Sequence, residues 1–252
     1  MKNADRKPGS RDSVPSGTAR SRSCAIYRKW KPIILISVGN DIVDLKTPEA
    51  KGKARDIRFL EKVLTEAERR AVTRFRYPDA LLWAFWAAKE AAYKAMVKST
   101  PDISSAPGRY AVKLDTLDPS GTIPGWVTTP LGKVPVMMEW NADYVHARVA
   151  AGSPEALEAV ISGSSRIPED AFAGGLSLSE RETLAAQTLA AACLSRFLGV
   201  CKNTIAINRP SLNGRDLPPE ICIQGEKQAI DLSLSHDGRF AAFAFYIPPM
   251  PG

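Results

Sequence analysis

The stretch "WAFWAAKEAAYKA", residues 83–95, places three charged side chains inside an alanine-rich and aromatic run. Its composition predicts a helix over about residues 80–98. Glu90 and Lys94 are four residues apart and therefore neighbours on one helix face, with Lys89 beside them. An ion pair on the surface of an amphipathic helix is the simple explanation. Aromatic residues surround most of the helix, however, which favours a charged face that points into an enclosed site.

A second stretch, "PIILISVGNDIVDL" at residues 32–45, supplies another carboxylate. The apolar β-branched run predicts a buried strand that ends at Gly39, followed by a turn that carries Asp41. Two carboxylates from different elements, Asp41 and Glu90, with Lys94 one helical turn away, suit a magnesium ion bound to a phosphate ester. Taken alone, Asp41 is as well explained as a turn residue or a helix cap.

The C-terminal part contains "NRPSLNGRDLP" at residues 208–218 and "LSLSHDGRF" at residues 232–240. Arg215 follows an Asn-Gly turn signal and is a cation suited to a phosphate. His236 ends an alternating strand, next to Ser235. A solvated arginine and a hydrogen-bonded turn histidine are the alternatives, so it is the combination of these signals that indicates a site.

The order of these patterns predicts an α+β protein built from two similar halves. We expect a disordered basic tail over residues 1–32, a first half over 33–151, a linker over 152–175 and a second half over 176–250. Two capping boxes predict helix starts, one formed by Thr65 with Glu68 and one by Ser179 with Glu182. Gly199 predicts the end of the second-half helix.

The ends of the two halves align without gaps. "WNADY" from Trp140 matches "HDGRF" from His236 at an offset of 96 residues. This weak repeat predicts a pseudo-twofold pair of halves. It also predicts an asymmetry, because the first half has Trp140 where the second has His236.

The charge distribution limits the partners. Of 34 Lys and Arg residues and 27 Asp and Glu residues, nine cations and two anions lie in residues 1–34, which leaves 25 of each in the rest of the chain. The net charge of +7 therefore belongs to the tail. A basic tail attracts polyanions, but no RNA- or DNA-binding motif accompanies it, so we expect no nucleic acid partner.

The chain also lacks membrane signals in its sequence. The apolar run "IILISV" is too short for a signal-peptide core or a membrane span. Four scattered cysteines without a CxxC pair indicate reduced thiols. Both observations favour a cytoplasmic protein.

These motifs resemble a known family. "VGNDIVDL", "RFLEKVLTEAE" and "WAAKEAAYKA" resemble, in order and spacing, the signature of 4′-phosphopantetheinyl transferases, particularly the small holo-acyl-carrier-protein synthases. "NGRDLP" and "LSLSHDGRF" are similar to the Gly-Lys-Pro and Ser-His segments with which that superfamily binds coenzyme A. The resemblance covers most of residues 36–247.

The resemblance implies Mg²⁺-dependent transfer of phosphopantetheine from coenzyme A to a serine of an acidic apo carrier protein. Asp41 and Glu90 match the family's metal ligands. Glu90 also matches the base that accepts the proton of the serine hydroxyl, and Lys94 matches a cation that contacts the pyrophosphate. The implied coenzyme A contacts are Arg215, Ser235, His236 and Lys89.

The chain departs from the family pattern in several ways. Larger two-half members place the Ser-His half first, whereas here the order is reversed. They also carry a third acid where this chain has Val43, and a lysine where it has Arg215. With Val43 in place of the third acid, we expect a water to complete the metal coordination, as in the small synthases, rather than the nearby Asp44. The second-half helix has few cations for coenzyme A, and Arg181 is the nearest candidate.

One His motif and one KEAxxK motif per chain predict a single complete site and a monomer. The alternative to an enzyme is a catalytically silent relative that binds coenzyme A or a partner protein. Asp41, Glu90, Lys94 and His236 are all present, which favours the enzyme.

Overall fold

The structure of the protein is a computed structural model. It describes residues 36–118, 121–168, 175–212 and 215–249. The predicted tail at residues 1–32 and the Asn213-Gly214 turn lie outside these ranges. Residues 34–252 form one compact unit. The secondary structure is mixed, with all strand pairs antiparallel, as expected for an α+β fold.

The first half of the chain contains three helices and a five-stranded sheet. Its elements are β1 (Ser37–Asp44), α1 (Ile57–Val63), α2 (Glu66–Arg74), α3 (Pro78–Ser99), β2 (Ala111–Leu114), β3 (Gly121–Thr129), β4 (Gly132–Trp140) and β5 (Tyr144–Ala151). The sheet order is β1-β5-β4-β3-β2. The predicted capping box of Thr65 and Glu68 is present at the start of α2.

Helix α3 packs across this sheet and forms the main core with it. Nine small or aliphatic residues of α3, including Leu81 and Ala95, are buried, together with Phe85. Gly39 of β1 permits the contact, because a Cβ atom there would lie 1.9 Å from the Ala91 carbonyl oxygen. Only glycine can occupy this position without moving the helix away from β1.

The segment predicted as a linker, residues 152–175, is partly structured. It contains α4 (Pro154–Glu158) and β6 (Ile161–Arg166), and β6 pairs with a strand of the second half. The linker prediction was therefore wrong for residues 154–166. The Gly and Ser residues of this segment suggested a loop, but β-pairing with a hydrophobic strand outweighs their low strand propensity.

The second half contains α5 and seven short strands. Its elements are α5 (Leu178–Leu198), β7 (Ile205–Asn208), β8 (Ser211–Leu212), β9 (Arg215–Asp216), β10 (Glu220–Ile223), β11 (Glu226–Lys227), β12 (Asp231–Asp237) and β13 (Phe240–Tyr246). Strands β12, β13 and β6 form one sheet, and β11, β10 and β7 form another. Ala190, Leu194, Leu232, Phe243 and Phe245 form the core between α5 and the β12–β13 hairpin.

The start of α5 differs from the prediction. The capping box is formed by Ser177 with Glu180, two residues earlier than the predicted Ser179 with Glu182. The sequence offers the same spacing twice, and the earlier pair starts the helix. Gly199 ends α5 in the left-handed conformation, as predicted.

The two terminal hairpins have the same register. Trp140 pairs with Val145 in the β4–β5 hairpin, and His236 pairs with Ala241 in the β12–β13 hairpin. The offset of 96 residues in the sequence therefore holds in the strand pairing of the two hairpins. The wider pseudo-twofold relation of the two halves stays a prediction.

Strand β1 is an edge strand of its sheet, and side chains of β12 cover that edge. The β1 backbone N–H groups of Val38, Asn40 and Asp44 donate to Asp231, Ser233 and Asp237, at 2.5 to 3.0 Å. An edge strand normally leaves these groups open to other chains. Here they join the first half of the chain to the second half.

Candidate active site

Asp41 lies in the middle of β1 rather than in a turn. The sequence predicted a strand that ends at Gly39, but β1 continues to Asp44, and Asp41 pairs with Ala147 of β5. The strand continues because β5 offers a full ladder of hydrogen bonds along this segment. Asp41 therefore has the rigid backbone of a sheet rather than that of a loop.

Glu90 and Lys94 reach Asp41 from α3. Lys94 Nζ lies 2.7 Å from Asp41 Oδ1 and 3.2 Å from the Asn40 carbonyl oxygen. This contact follows from the close packing of α3 on Gly39, which brings consecutive turns of the helix over the strand. The structure thus brings together the three residues that the sequence predicted as catalytic.

Burial dominates the electrostatics of the two carboxylates. It raises the pKa of Asp41, and the ammonium of Lys94 opposes that rise. Burial, followed by the charge of Asp41, raises the pKa of Glu90 to about 7. Among the described residues, the Glu90 carboxylate has no hydrogen-bond or ion-pair partner. A cation between Asp41 and Glu90 would relieve the unfavourable charge on both groups.

These two carboxylates fit the way that proteins bind Mg²⁺. The described part of the chain contains no cluster of three or more His, Cys, Asp or Glu side chains arranged for a metal ion. Mg²⁺ commonly uses one or two carboxylates and takes its remaining ligands from water and substrate phosphates. Asp41 and Glu90 therefore fit a magnesium ion that binds together with a phosphate ester, and not a site made of protein ligands alone.

His236 borders this cluster from the second half. Its Nδ1 lies 3.2 Å from a carboxylate oxygen of Glu182, and its Nε2 lies 3.4 Å from the Thr183 hydroxyl, both on α5. Burial lowers the pKa of His236, and the negative charge of Glu182 opposes this. The ring is thus held by α5 while it lines the cavities next to Asp41 and Lys94.

Three adjoining cavities follow the boundary between the halves. One of about 240 Å³ lies against Asp41, His236 and Asp237, and one of about 220 Å³ lies between Lys94, His236 and Arg209. The third, of about 830 Å³, shares Lys94 and Arg209 with the second and extends to the segment Asp216–Pro219. Its volume is in the range of cavities that hold cofactor-sized ligands.

Lys89 is not at this site, which corrects the prediction that it contacts coenzyme A. Its side chain is 1% exposed, and its ammonium lies 2.7 Å from both Glu68 and the Val63 carbonyl oxygen. Adjacent helix positions differ by about 100° in direction, so Lys89 points towards α2 when Glu90 faces Asp41. An ammonium that is buried and paired with a carboxylate is closed off from a ligand in the cavities.

The remaining predicted contacts have mixed outcomes. Ser235 lines the cavity of about 220 Å³ and also accepts a hydrogen bond from the Asn40 amide at 2.8 Å. The backbone of Arg215 lies in β9, paired with Leu212. Its side chain lies outside the described part of the structure, so its contact with coenzyme A stays a prediction.

Asp44 and Arg181, which the sequence suggested as further candidates for the site, lie apart from the pair of Asp41 and Glu90. Asp44 is fully buried and makes a two-pronged ion pair with Arg239, at 2.7 Å for each prong. Arg181 lines a separate cavity with Glu182 and Arg239. Neither completes the Asp41 and Glu90 pair.

Four residues of the site escaped the sequence reasoning, namely Asn40, Glu182, Arg209 and Asp237. Arg209 borders two of the cavities, and Glu182 orients His236. Asp237 lines the cavity next to Asp41, where burial raises its pKa to about 6. Asn40 directly precedes the predicted Asp41 and Asp237 directly follows the predicted His236, which were the available signals for these two. Glu182 and Arg209 become visible only when the two halves are placed together.

Comparisons with known proteins agree with the motif at this site. A search of curated proteins gives no significant match. No helix in the described ranges is long and apolar enough to cross a membrane. Residues 37–116, which contain Asp41, Glu90 and Lys94, match the family model of the 4′-phosphopantetheinyl transferase superfamily. The predicted resemblance is thus confirmed for this part of the chain.

Proposed function

We propose that the protein transfers the 4′-phosphopantetheine group of coenzyme A to a serine of an apo acyl or peptidyl carrier protein, with Mg²⁺ as cofactor. The family match supports phosphopantetheinyl transfer in general. The observation that carries the finer proposal is the grouping of Asp41, Glu90 and Lys94. Of these, Asp41 and Lys94 line cavities that His236 also lines.

The reaction forms one bond and breaks another at the β-phosphorus of coenzyme A. The serine oxygen of the carrier attacks this phosphorus, and the P–O bond to the leaving nucleotide breaks, which releases adenosine 3′,5′-bisphosphate. The carrier serine then bears the phosphopantetheine arm. A magnesium ion bound by Asp41 and Glu90 would neutralise charge on the pyrophosphate as this bond breaks.

The residues of the chain contribute a base and positive charge. Without a bound metal ion, burial and the charge of Asp41 raise the pKa of Glu90 to about 7, and we infer that its carboxylate accepts the serine proton. Lys94 is placed to stabilise negative charge that develops on the pyrophosphate. Arg209 and His236 line the adjoining cavities and are suited to the phosphates of the nucleotide.

The carrier protein is the proposed macromolecular partner. Proteins of this type are acidic, and the nine cations among residues 1–34 offer them an attractive charge. Deletion of residues 1–32 should weaken carrier affinity at low salt and have little effect at high salt. An affinity that does not change at low salt would remove the tail from this proposal.

The single set of site residues supports a monomer. The scattered cysteines without a CxxC pair support the cytoplasm as its compartment. The mass in solution, from light scattering, tests the oligomeric state. A trimer would indicate that the site is completed between chains instead.

The experiment that tests the function is an intact-mass assay. The purified protein is incubated with coenzyme A, Mg²⁺ and a panel of apo carrier proteins, in parallel with Glu90→Gln. The matched control is Glu66→Gln, which changes an exposed glutamate of α2. We expect a gain of one phosphopantetheine group per carrier with the wild type and the control, and none with Glu90→Gln.

A lack of transfer to any carrier would favour the catalytically silent relative. Calorimetry with coenzyme A then decides the matter. Binding without transfer supports a regulatory protein, and either result overturns transfer as the function.

A further inference from the structure

Asn40 connects three elements around the proposed site. It is fully buried in β1. Its backbone N–H donates to the Ser233 hydroxyl at 3.0 Å, and its carbonyl oxygen accepts from Lys94 at 3.2 Å. Its amide nitrogen donates to the Ser235 hydroxyl at 2.8 Å and lies 3.2 Å from His146 Nε2. The bonds of one residue therefore reach β12, α3 and β5.

The strands that Asn40 joins belong to different sheets. Strand β1 is at the edge of the five-stranded sheet, and β12 is at the edge of the β12-β13-β6 sheet. No backbone ladder between β1 and β12 is found among the described strands. Side chains must therefore fix how far Asp41 of one strand lies from His236 of the other.

Other side chains also join these two strands, but in a different way. Asp231, Ser233 and Asp237 of β12 each accept from a backbone N–H group of β1. These bonds hold the two strands together as a whole. The amide of Asn40 instead holds Ser235, the neighbour of His236, and its carbonyl oxygen holds Lys94.

The amide of Asn40 is not simply completing a buried polar cluster. Its Oδ1 atom has no partner among the described residues. If the amide oxygen and nitrogen of Asn40 exchanged positions, the oxygen would face Ser235 and His146. The nitrogen would then have no partner. Either way one end of the amide is unsatisfied, an arrangement that stability alone disfavours.

We propose that Asn40 is a positioning residue, which sets Asp41 and Lys94 of the first half against His236 of the second half. The inference rests on the proposed function, since it concerns the same site. Asn40 acts through Ser235 and Lys94 and does not itself contact the reacting atoms. A displacement of reacting groups by about 1 Å is enough to cost a large factor in rate.

The test combines NMR spectroscopy and kinetics on the full chain. The chain has two histidines, His146 and His236, so their imidazole signals are readily assigned. In Asn40→Leu, a residue of similar size without the amide, we expect the signals of both rings to shift. We also expect kcat to fall by about tenfold or more, with the KM for coenzyme A changed by less than about threefold.

Two further variants keep the test decisive. Ser37→Ala changes another buried polar residue of β1 and should leave both histidine signals and kcat as in the wild type. Asn40→Ser replaces Asn40→Leu if the latter does not fold, and should give the same shifts. All assays are run at a temperature at which the melting curve shows complete folding, so that unfolding does not enter kcat.

The outcomes separate this inference from the proposed function. An unchanged His236 signal in the Asn40 variants, with kcat within about twofold of the wild type, would overturn the positioning role. A wild-type protein that transfers nothing would overturn the proposed function. The histidine signals would still decide whether Asn40 positions His236.

Discussion

The ammonium of Lys94 on α3 lies 2.7 Å from the carboxylate of Asp41 on β1, next to the close packing of α3 on Gly39. Lys94 is the main group that opposes the rise of the Asp41 pKa caused by burial. The pair therefore offsets part of the cost of burying the Asp41 carboxylate. The same ammonium borders the cavities that extend towards the second half.

Replacement of Lys94 by methionine tests this pair. Lys94→Met keeps the length of the side chain but removes the charge, so we expect kcat to fall by about 100-fold or more. The Asp41 pKa should rise further, because its counter-charge is lost. Intact-mass kinetics measure the first effect. Lys113→Met, at an exposed position of β2, is the control and should keep wild-type activity.

Glu90 should make the stability of the protein depend on pH. Its folded pKa of about 7 lies above the ordinary value of 4.5, so the folded state binds more protons than the unfolded state between these pH values. Stability should therefore fall as the pH rises from 4.5 to 7. Glu90→Gln cannot ionise and should be more stable than the wild type at pH 8 by about 2–3 kcal/mol.

Urea unfolding in EDTA at about pH 5 and pH 8 measures this difference. The advantage of Glu90→Gln should shrink at about pH 5, where most of the wild-type Glu90 is protonated. Asp237 also has a raised pKa, but it is present in both proteins and cancels in the comparison. If the stability difference between Glu90→Gln and the wild type is the same at both pH values, burial does not raise the pKa of the Glu90 carboxylate.

The fold was predictable wherever local signals agreed. Thr65 and Glu68 marked the start of α2, Gly199 marked the end of α5, and the two hairpins kept the offset seen in the sequence. Pairing between distant segments was not predictable. Strand β6 exists because β13 pairs with it, and β1 passes through Gly39 because β5 continues beside it. Tertiary contacts override local propensity in both cases.

The site was predictable to the extent that it lies on one helix. The spacing of Glu90 and Lys94 placed both residues on one helix face. Asp41 was predicted from the stretch "PIILISVGNDIVDL". Helix geometry turns Lys89 about 100° away from Glu90, but only the position of Glu68 shows that Lys89 is buried on the other side of the helix. Glu182 and Arg209 reach the site only through packing of the halves, so no local pattern marked them.

Lys89 should matter for stability and not for ligand binding. Lys89→Met would leave Glu68, which is 3% exposed, without its counter-charge, so we expect a loss of about 3–5 kcal/mol. The affinity of the folded variant for coenzyme A should equal that of the wild type. Urea unfolding and calorimetry measure the two quantities, with Lys62→Met on exposed α1 as the control. Weaker coenzyme A binding by the folded variant would show that Lys89 contributes to the binding site after all.

Arg239 should hold the two halves together through Asp44. Its guanidinium bonds both oxygens of Asp44, and its backbone N–H donates to the same carboxylate at 3.0 Å. Burial alone would raise the pKa of Asp44, but the hydrogen bonds from Arg239 and from the Lys46 backbone lower it. The stability that these bonds provide is therefore present near neutral pH and lost as the pH falls.

Two substitutions of Arg239 separate charge from geometry. Arg239→Met leaves a fully buried carboxylate without a counter-charge and should cost about 3–5 kcal/mol. Arg239→Lys keeps the charge but has no planar fork for both oxygens, so it should restore only part of this stability. Urea unfolding at about pH 7 and pH 4 measures both effects, and the difference between wild type and Arg239→Met should shrink at the lower pH. Equal stability of Arg239→Lys and the wild type would show that the charge of residue 239 matters and its two-pronged geometry does not.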